Sequence, residues 1–265
     1  MMAKKNLILS FIGSAKTKSK KEKILYKTRT DFNNITVTRE GDIVTLWSPA
    51  NVRQTVIDLS NPTLPCLEYA KYTYLSLAFC PYPGSILVMG LGGGALPIMF
   101  YHTCPNTSID VVEIDPEIPM IAKKYFNFFV DSRLELFLDD AFSFIQNANK
   151  KYDIIMMDAY IGRKQHRPLT TTKFFMGIKD RLTPKGLLTA NLMTRNKTRF
   201  ETMKSRIGSV FKDLWYIAGE TATNAVAFAA KEKISKAQLL NNIKELQVSI
   251  PNEIQLKKLI KKIVK

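Results

Sequence analysis

Residues 86–94 read Ile-Leu-Val-Met-Gly-Leu-Gly-Gly-Gly, an apolar run followed at once by a glycine-rich turn. The apolar run is typical of a parallel strand that is buried on both faces of a sheet. The glycines let the backbone turn sharply and approach a ligand without side-chain obstruction. In Rossmann-like domains, a glycine-rich turn between a strand and a helix binds a nucleotide. The stretch therefore predicts a nucleotide-binding α/β domain, with Gly90, Gly92 and Gly93 at the nucleotide.

A second motif, Val112-Glu113-Ile114-Asp115, ends the next predicted strand. Glu113 follows the glycines by about 20 residues, and a carboxylate there can accept hydrogen bonds from both ribose hydroxyls. The alternative is a solvated acid at a strand end. Folds that bind NAD, FAD or S-adenosylmethionine (AdoMet) all contain a glycine-rich turn, but Gly-Leu-Gly-Gly-Gly fits the AdoMet pattern better than the strict dinucleotide fingerprint. We therefore predict that Glu113 binds the ribose of an AdoMet-type nucleoside.

Strands and helices alternate after the glycine turn. The predicted strands are residues 86–89, 108–113, 134–138, 154–157, 187–192, 214–218 and 225–230, and the helices include residues 116–126, 142–148, 172–182 and 200–211. Such alternation is typical of a doubly wound sheet. The predicted fold class is α/β, a Rossmann-like class I AdoMet-dependent transferase fold with a small N-terminal β domain.

The chain divides into four predicted segments. They are a basic leader at 1–30, an N-terminal β-hairpin domain at 31–63, the Rossmann-like AdoMet-binding domain at 64–233 and a lysine-rich helical tail at 234–265. The hairpin is predicted because two β-branched segments flank the turn-like Glu40-Gly41-Asp42. We expect the tail to be an accessory segment.

The net charge of +16 lies mostly at the two ends of the chain. Residues 1–30 contain nine Lys or Arg and one Glu, and residues 231–265 contain nine Lys and three Glu. The central part is nearly neutral, which argues against nucleic-acid binding by the core. We expect solvated basic ends, with weak contacts to an anionic partner as the alternative.

Composition also bears on location and metal binding. No apolar run approaches the roughly 20 residues that span a membrane. The apolar stretch 7–13 follows two lysines and faintly resembles a signal peptide, but we expect a strand or docking segment there. The three cysteines are odd in number and lack metal-site spacing, which favours a reducing cytoplasm and no metal.

Two further carboxylates follow predicted strands at the edge where α/β domains bind ligands. Asp140 occupies the place where an acid commonly binds an adenine amino group, with a helix N-cap as the alternative. Asp158 stands where a carboxylate can take a proton from an amine nucleophile. The same cavity is predicted to be lined by Gln54 and Ala141 on the cofactor side, and by Tyr72 and Tyr160 on the substrate side. For Tyr72 the alternative is packing within a helix.

A long polar loop, residues 158–171, follows the fourth predicted strand. Loops of this length are either functional lids or disordered segments. His166 lies in this loop, and we assign it neither a metal-binding nor a catalytic role.

These motifs resemble the spermidine synthase (polyamine aminopropyltransferase) family, especially its divergent spermidine synthase-like branch. The resemblance covers roughly residues 35–230 and is carried by residues 54–72, 88–97, 112–116, 158–160, 168–171 and 174–175. It implies a homodimer that transfers an aminopropyl group from decarboxylated AdoMet to a polyamine-type amine. By resemblance, Asp158 deprotonates that amine and Tyr72 places it, while Glu113 and Asp140 bind the nucleoside.

Three departures from the family pattern leave the transferred group open. The second aspartate of the Asp-x-x-Asp motif falls on Ile161, the aspartate of the glycine turn is replaced by Gly93 or Gly94, and Thr73 and Tyr74 follow Tyr72. A dication in a cleft needs carboxylates to offset its lost hydration. The alternatives are therefore an AdoMet-dependent methyltransferase, or a non-catalytic nucleoside-binding protein with basic tails. An NAD-dependent oxidoreductase is disfavoured because no second catalytic set follows the fold.

Overall fold

A computed structural model describes residues 22–49, 51–160, 167–219, 223–246 and 250–265. The apolar stretch 7–13, Ile161 and His166 lie outside the described residues. Within the described part of the chain, no helix is both long and apolar enough to cross a membrane.

The N-terminal part is a four-stranded antiparallel sheet. Its strands, in spatial order, are β1 (Lys23–Arg29), β2 (Asn34–Glu40), β3 (Ile43–Ser48) and β4 (Val52–Asp58). The predicted hairpin is β2 and β3. Strand β1 comes from the segment that the sequence assigns to the leader. Most of its side chains are exposed, so it shows no hydrophobic alternation, and it is held in the sheet by pairing with β2.

The central sheet has seven strands and confirms the predicted α/β class. Its strands are β5 (Ser85–Met89), β6 (Ser108–Glu113), β7 (Leu134–Leu138), β8 (Tyr152–Met157), β9 (Leu182–Met193), β10 (Asp213–Ala218) and β11 (Asn224–Ala230). The spatial order is β10-β11-β9-β8-β5-β6-β7. Strands β5 to β9 are parallel to one another, whereas β11 and β10 are antiparallel additions at one edge.

Helices cover both faces of the central sheet, as the two separate groups of buried apolar residues require. In chain order these helices are α1 (Glu68–Tyr72), α2 (Ser76–Phe79), α3 (Ala95–Thr103), α4 (Glu117–Tyr125), α5 (Ala141–Asn147), α6 (Thr172–Arg181) and α7 (Lys197–Val210). Short 3₁₀ turns occupy Thr73–Leu75 and Arg167–Thr170. The doubly wound arrangement places the carboxyl ends of β5 to β9 at one edge of the sheet.

The N-terminal sheet is tied to the central domain by side-chain hydrogen bonds. The Tyr26 hydroxyl donates to Glu117 at 2.6 Å, and the Thr30 hydroxyl donates to Asp115 at 2.6 Å. The backbone N–H of Gly93 donates to the Thr55 hydroxyl at 2.9 Å. The N-terminal sheet therefore forms one wall over the carboxyl edge of the central sheet.

The lysine-rich C-terminal segment packs into the main core. It forms α8 (Lys236–Glu245) and α9 (Leu256–Lys262), and it buries Leu239, Leu256, Ile260 and Ile263. Lys265 forms an ion pair with the buried Asp213 at 2.7 Å. The segment is thus integrated into the fold, because apolar residues at helical spacing between the lysines supply a buried face.

Candidate active site

A cavity of about 730 Å³ lies at the carboxyl edge of the central sheet, beneath the N-terminal sheet. Nearly all of the residues that the sequence singles out line it, namely Gln54, Tyr72, Gly90, Gly92, Glu113, Asp140, Ala141, Asp158 and Tyr160. Gly93 lies next to this lining. The folded chain therefore brings residues from β4, α1 and the ends of four parallel strands into one site.

The glycine turn after β5 fits tightly between the next layers of backbone and side chain. Gly90 has a φ of +93°, and a Cβ there would lie 2.6 Å from the carbonyl oxygen of Asp158. Gly92 has a φ of +52°, and its Cβ would lie 2.7 Å from the Thr55 hydroxyl. Both positions need glycine for conformation and for space. The turn is thereby held against β8 on one side and against the N-terminal sheet on the other.

Glu113, at the end of β6, is buried and holds the backbone of two loops. Its carboxylate accepts hydrogen bonds from the N–H groups of Leu91 at 2.8 Å, and of Ile114 and Asp115 at 2.9 Å. Burial raises the pKa of Glu113, and these backbone donors oppose that shift. A carboxylate has roughly four acceptor positions, so three backbone bonds leave room for a ligand hydroxyl. The ribose-binding role stays a prediction.

Asp140 caps the N-terminus of α5 and also lines the cavity. Its side chain accepts a hydrogen bond from the Ser143 N–H at 3.0 Å, so the N-cap alternative is realised. Ala141 is the first residue of this helix. An N-cap and an adenine contact are compatible, because a carboxylate has a second oxygen. Adenine binding by Asp140 stays a prediction.

Asp158 is a carboxylate that neutral hydrogen-bond donors hold in place after β8. One oxygen accepts from the Tyr69 hydroxyl at 2.9 Å and the other accepts from the Asn191 side-chain amide at 2.7 Å. Burial raises the pKa of Asp158 to about 6, although the bonds from Asn191 and Tyr69 lower it. A carboxylate with a pKa of about 6 is mostly ionised at neutral pH and is a stronger base than an ordinary aspartate.

Asn224 fixes the orientation of the Asn191 side-chain amide, which lies beside Asp158. The Asn224 amide donates to the side-chain oxygen of Asn191 at 2.9 Å, which leaves the Asn191 amide N–H₂ directed at Asp158. The Tyr160 hydroxyl donates to the backbone carbonyl of Asn191 at 2.5 Å. Asn191 is only 3% exposed. The amide is therefore a built part of the site rather than a surface contact.

The hydroxyl groups of the two predicted substrate-side tyrosines have protein partners. The Tyr72 hydroxyl donates to Glu68, one helical turn earlier, at 2.6 Å. The Tyr160 hydroxyl donates to the backbone carbonyl of Asn191. Burial raises the pKa of Tyr160. The helix-packing alternative for Tyr72 is compatible with this arrangement, since the ring is buried. Substrate contacts of both tyrosines stay predictions.

Sequence reasoning misses several residues of the site. These are Tyr69, Asn191, Arg195, Arg199 and Asn224, all of which line the cavity. Asn191 lies near the end of a predicted parallel strand, at the same edge as Asp158, so its position is a signal that could identify it. Tyr69 gives no such signal, because it reaches Asp158 only through the packing of α1 over the sheet.

The comparisons with known proteins agree with this geometry. Residues 73–239 match the family described as the spermine/spermidine synthase domain, which is more than half of the chain. The relatives in these comparisons include aminopropyltransferases and methyltransferases. The chain belongs to the spermine/spermidine synthase family, and the predicted family resemblance is confirmed.

Three similar proteins represent two different reactions. A polyamine aminopropyltransferase of Vibrio vulnificus (strain CMCP6) is 34% identical over 150 residues, 56% of this chain and 50% of the relative. An eEF1A lysine and N-terminal methyltransferase of Xenopus laevis is 28% identical over 219 residues, 72% of this chain and 32% of the relative. The crystal structure of human methyltransferase-like protein 13 in complex with SAH gives a TM-score of 0.62 at 25% identity, covering 74% of this chain and 92% of that chain. The alignments thus span half or less of the length of these two curated relatives.

Proposed function

We propose that the chain is an AdoMet-dependent methyltransferase that acts on an amine nitrogen, with Asp158 as the base. One observation carries the choice of methyl over aminopropyl transfer. The place where the family has an aspartate in the glycine turn is filled, in this chain, by packed side chains.

The packing around the glycine turn leaves no space for an acid. A Cβ on Gly93 would lie 2.7 Å from the buried ring of Phe126 and 2.9 Å from the Thr55 methyl group. On Gly94, whose φ is +83°, a Cβ would lie 2.9 Å from the ring of Phe128. Neither position offers a carboxylate for the ammonium of an aminopropyl group. An ammonium that leaves water for a protein cleft needs such a partner to offset its lost hydration. AdoMet carries its own carboxylate beside its ammonium, so it depends less on a protein acid.

The remaining lining fits an AdoMet-type nucleoside. The glycine turn permits close approach of the backbone, Glu113 has acceptor capacity at the ribose position, and Asp140 stands at the strand end next along the sheet. These are the residues that would hold the nucleoside. The human neighbour named above has SAH bound, and the similarity supports the same class of ligand here.

Asp158 supplies the proton acceptor for the reaction. AdoMet, when bound, would supply the methyl group of its sulfonium: the amine lone pair would attack the methyl carbon, the carbon–sulfur bond would break with its electron pair staying on sulfur, and SAH would leave. The amine proton passes to the Asp158 carboxylate. Tyr69 and Asn191 hold that carboxylate by one oxygen each, which fixes its direction. A pKa of about 6 keeps it ionised at pH 7 and ready to accept the proton.

Aminopropyl transfer from decarboxylated AdoMet is the second candidate function. It is favoured by the identity to the Vibrio enzyme and by the retention of Tyr72 and Asp158 at matching motif positions. The two reactions share the nucleoside site and the base, so they differ in the group beside the sulfonium.

Calorimetry and product analysis distinguish the two reactions. We expect SAH and AdoMet to bind below millimolar concentration, and to bind more tightly than methylthioadenosine and decarboxylated AdoMet. With a pool of primary amines, the products expected are SAH and methylated amine, and Asp158→Asn should bind SAH but lose turnover. Release of methylthioadenosine from decarboxylated AdoMet and putrescine would favour the second candidate. Failure of all four nucleosides to bind would contradict both.

A further inference from the structure

We infer that Arg195 and Arg199 form an anion-binding subsite beside the base, and that the acceptor is an amine carrying a carboxylate or phosphate group. This inference rests on the proposed transfer to an amine and names the class of amine. Both arginines line the cavity, and neither belongs to the family motifs described above.

The order of the strands places these arginines on the acceptor side of Asp158. The expected nucleoside residues lie at the ends of β6 and β7, and Asp158 follows β8. Arg195 comes just after β9, and Arg199 lies in the first turn of α7. Strands β6 and β9 are three steps apart at ~4.8 Å per step, so their ends are separated by about 14 Å. The base therefore stands between the ribose position and the two arginines.

The two guanidinium groups have no acidic partner within the described part of the chain. None of the ion pairs between described residues includes Arg195 or Arg199, and both side chains are exposed. The carboxylate of Asp158 is bound by the neutral groups of Tyr69 and Asn191. Two exposed cations that line a cavity, and that form no ion pair with a described residue, attract an anionic ligand.

Arg199 lies close enough to influence the groups around the base. Burial raises the pKa of Tyr160, and the charge of Arg199 opposes that shift. The hydroxyl of Tyr160 donates to the backbone carbonyl of Asn191, and the side-chain amide of Asn191 donates to Asp158. Arg199 and Tyr160 thus line the same cavity, and the charge of Arg199 reaches that tyrosine.

Arginine recognises carboxylate and phosphate groups through parallel N–H donors. The second ammonium of a diamine would be repelled by Arg195 and Arg199, whereas an amine with an anionic group would be attracted. The subsite therefore selects against polyamines and in favour of acidic amines.

Binding of matched small probes tests the subsite directly. Protein saturated with SAH is titrated by calorimetry with putrescine, with 4-aminobutyrate, which has the same four-carbon chain, and with 3-aminopropyl phosphate. We expect the two anionic probes to bind about tenfold more tightly than putrescine, since each exposed pair contributes a small factor. The ratio of the two anionic probes distinguishes a carboxylate site from a phosphate site.

Variants separate charge recognition from a general loss of structure. Arg195→Gln with Arg199→Gln should remove the preference, whereas lysine at both positions should retain most of it. Arg39→Gln is the matched control, because Arg39 is exposed on β2 and pairs with Asp42 away from the cavity. In the unaltered protein, raising the salt from about 0.05 M to about 0.5 M should weaken the preference.

Three results would overturn the inference: equal or tighter binding of putrescine, no detectable binding of the anionic probes to the SAH complex, or an unchanged preference in the double glutamine variant. Failure of SAH itself to bind would instead count against the proposed function, so the two failures are distinguishable.

Discussion

Replacing Asn191 with Leu removes the amide that holds Asp158 and should raise the pKa of the proposed base. Asn191 donates to the carboxylate at 2.7 Å, and its amide lowers a pKa that burial raises to about 6. Leu has a similar size but donates no hydrogen bond. The ionised form of Asp158 should therefore lose stabilisation, while the Tyr69 bond to the other oxygen remains.

The size of the shift follows from the energy of one charge-assisted hydrogen bond. Such a bond contributes about 1.5–3 kcal/mol, and one pKa unit corresponds to about 1.4 kcal/mol. Because Asp158 is partly open to the cavity, we take the lower end, a rise of about one unit from about 6 to about 7. At a pH of about 6.5, the ionised fraction should fall from about three quarters to about one quarter.

The assay is a ¹³C NMR titration of the aspartate side-chain carboxyls, which needs no acceptor substrate. The Asp158 signal is assigned by its absence in Asp158→Asn. Asn242→Leu is the matched control, because Asn242 donates its amide to the Ala78 carbonyl at 2.8 Å and does not line the cavity. If Asp158 titrates at the same pH in Asn191→Leu as in the unaltered protein, the amide does not set its pKa and the reasoning is refuted.

Three further outcomes are expected. In urea unfolding, Asp158→Asn should stabilise the fold by up to about 3 kcal/mol at pH near 8 and by almost nothing at a pH of about 2.5, below both pKa values of Asp158. The sign follows because a folded pKa of about 6 lies above the ordinary 3.8, so ionisation destabilises the fold at higher pH and this cost disappears on acidification. Gly90→Ala should abolish SAH binding and cost more stability than Gly41→Ala, whose φ is +62° with nothing within 4 Å of a Cβ; equal losses would contradict the steric argument. Light scattering should give about twice the 30.1 kDa chain mass if the homodimer implied by the family forms, and the single mass would contradict it.

Local sequence patterns predict the parallel sheet well, and the reason is burial on both faces. Strands β5, β6 and β8 are almost entirely buried and mostly apolar, although β6 contains Asp110 and Glu113 and β8 contains Asp153. Strand β1 lacks such a pattern because it is an edge strand with mostly exposed side chains. Strand β9 begins at Leu182, earlier than predicted, since its first residues include the turn-like Thr183-Pro184-Lys185-Gly186. The register with β8 shifts at this point, from Leu182 opposite Tyr152 to Leu187 opposite Ile154, so the four turn-like residues form a bulge outside the ladder.

In the candidate site, too, local sequence patterns predict some residues and miss others. The glycine turn, Glu113 and Asp158 are visible in the sequence because each stands at the end of a predicted strand. The groups that tune Asp158 are contributed by distant parts of the chain, since Tyr69 is 89 positions away and Asn191 is 33. No local pattern encodes such pairings, so the pKa of the base is a property of the tertiary structure alone.

The packing at Gly93 also shows why one substitution would not place an acid in the glycine turn. An aspartate there would meet the Phe126 ring, which is fully buried against α4 and the core, and the Thr55 methyl group from the N-terminal sheet. The Gly93 N–H already bonds to the Thr55 hydroxyl, so moving Thr55 would also release a backbone donor. A carboxylate at this position therefore requires smaller neighbours at residues 55 and 126 at the same time. The absence of an acid from the glycine turn is thus coupled to the docking of the N-terminal sheet through Thr55 and to the packing of Phe126, and it does not depend on residue 93 alone.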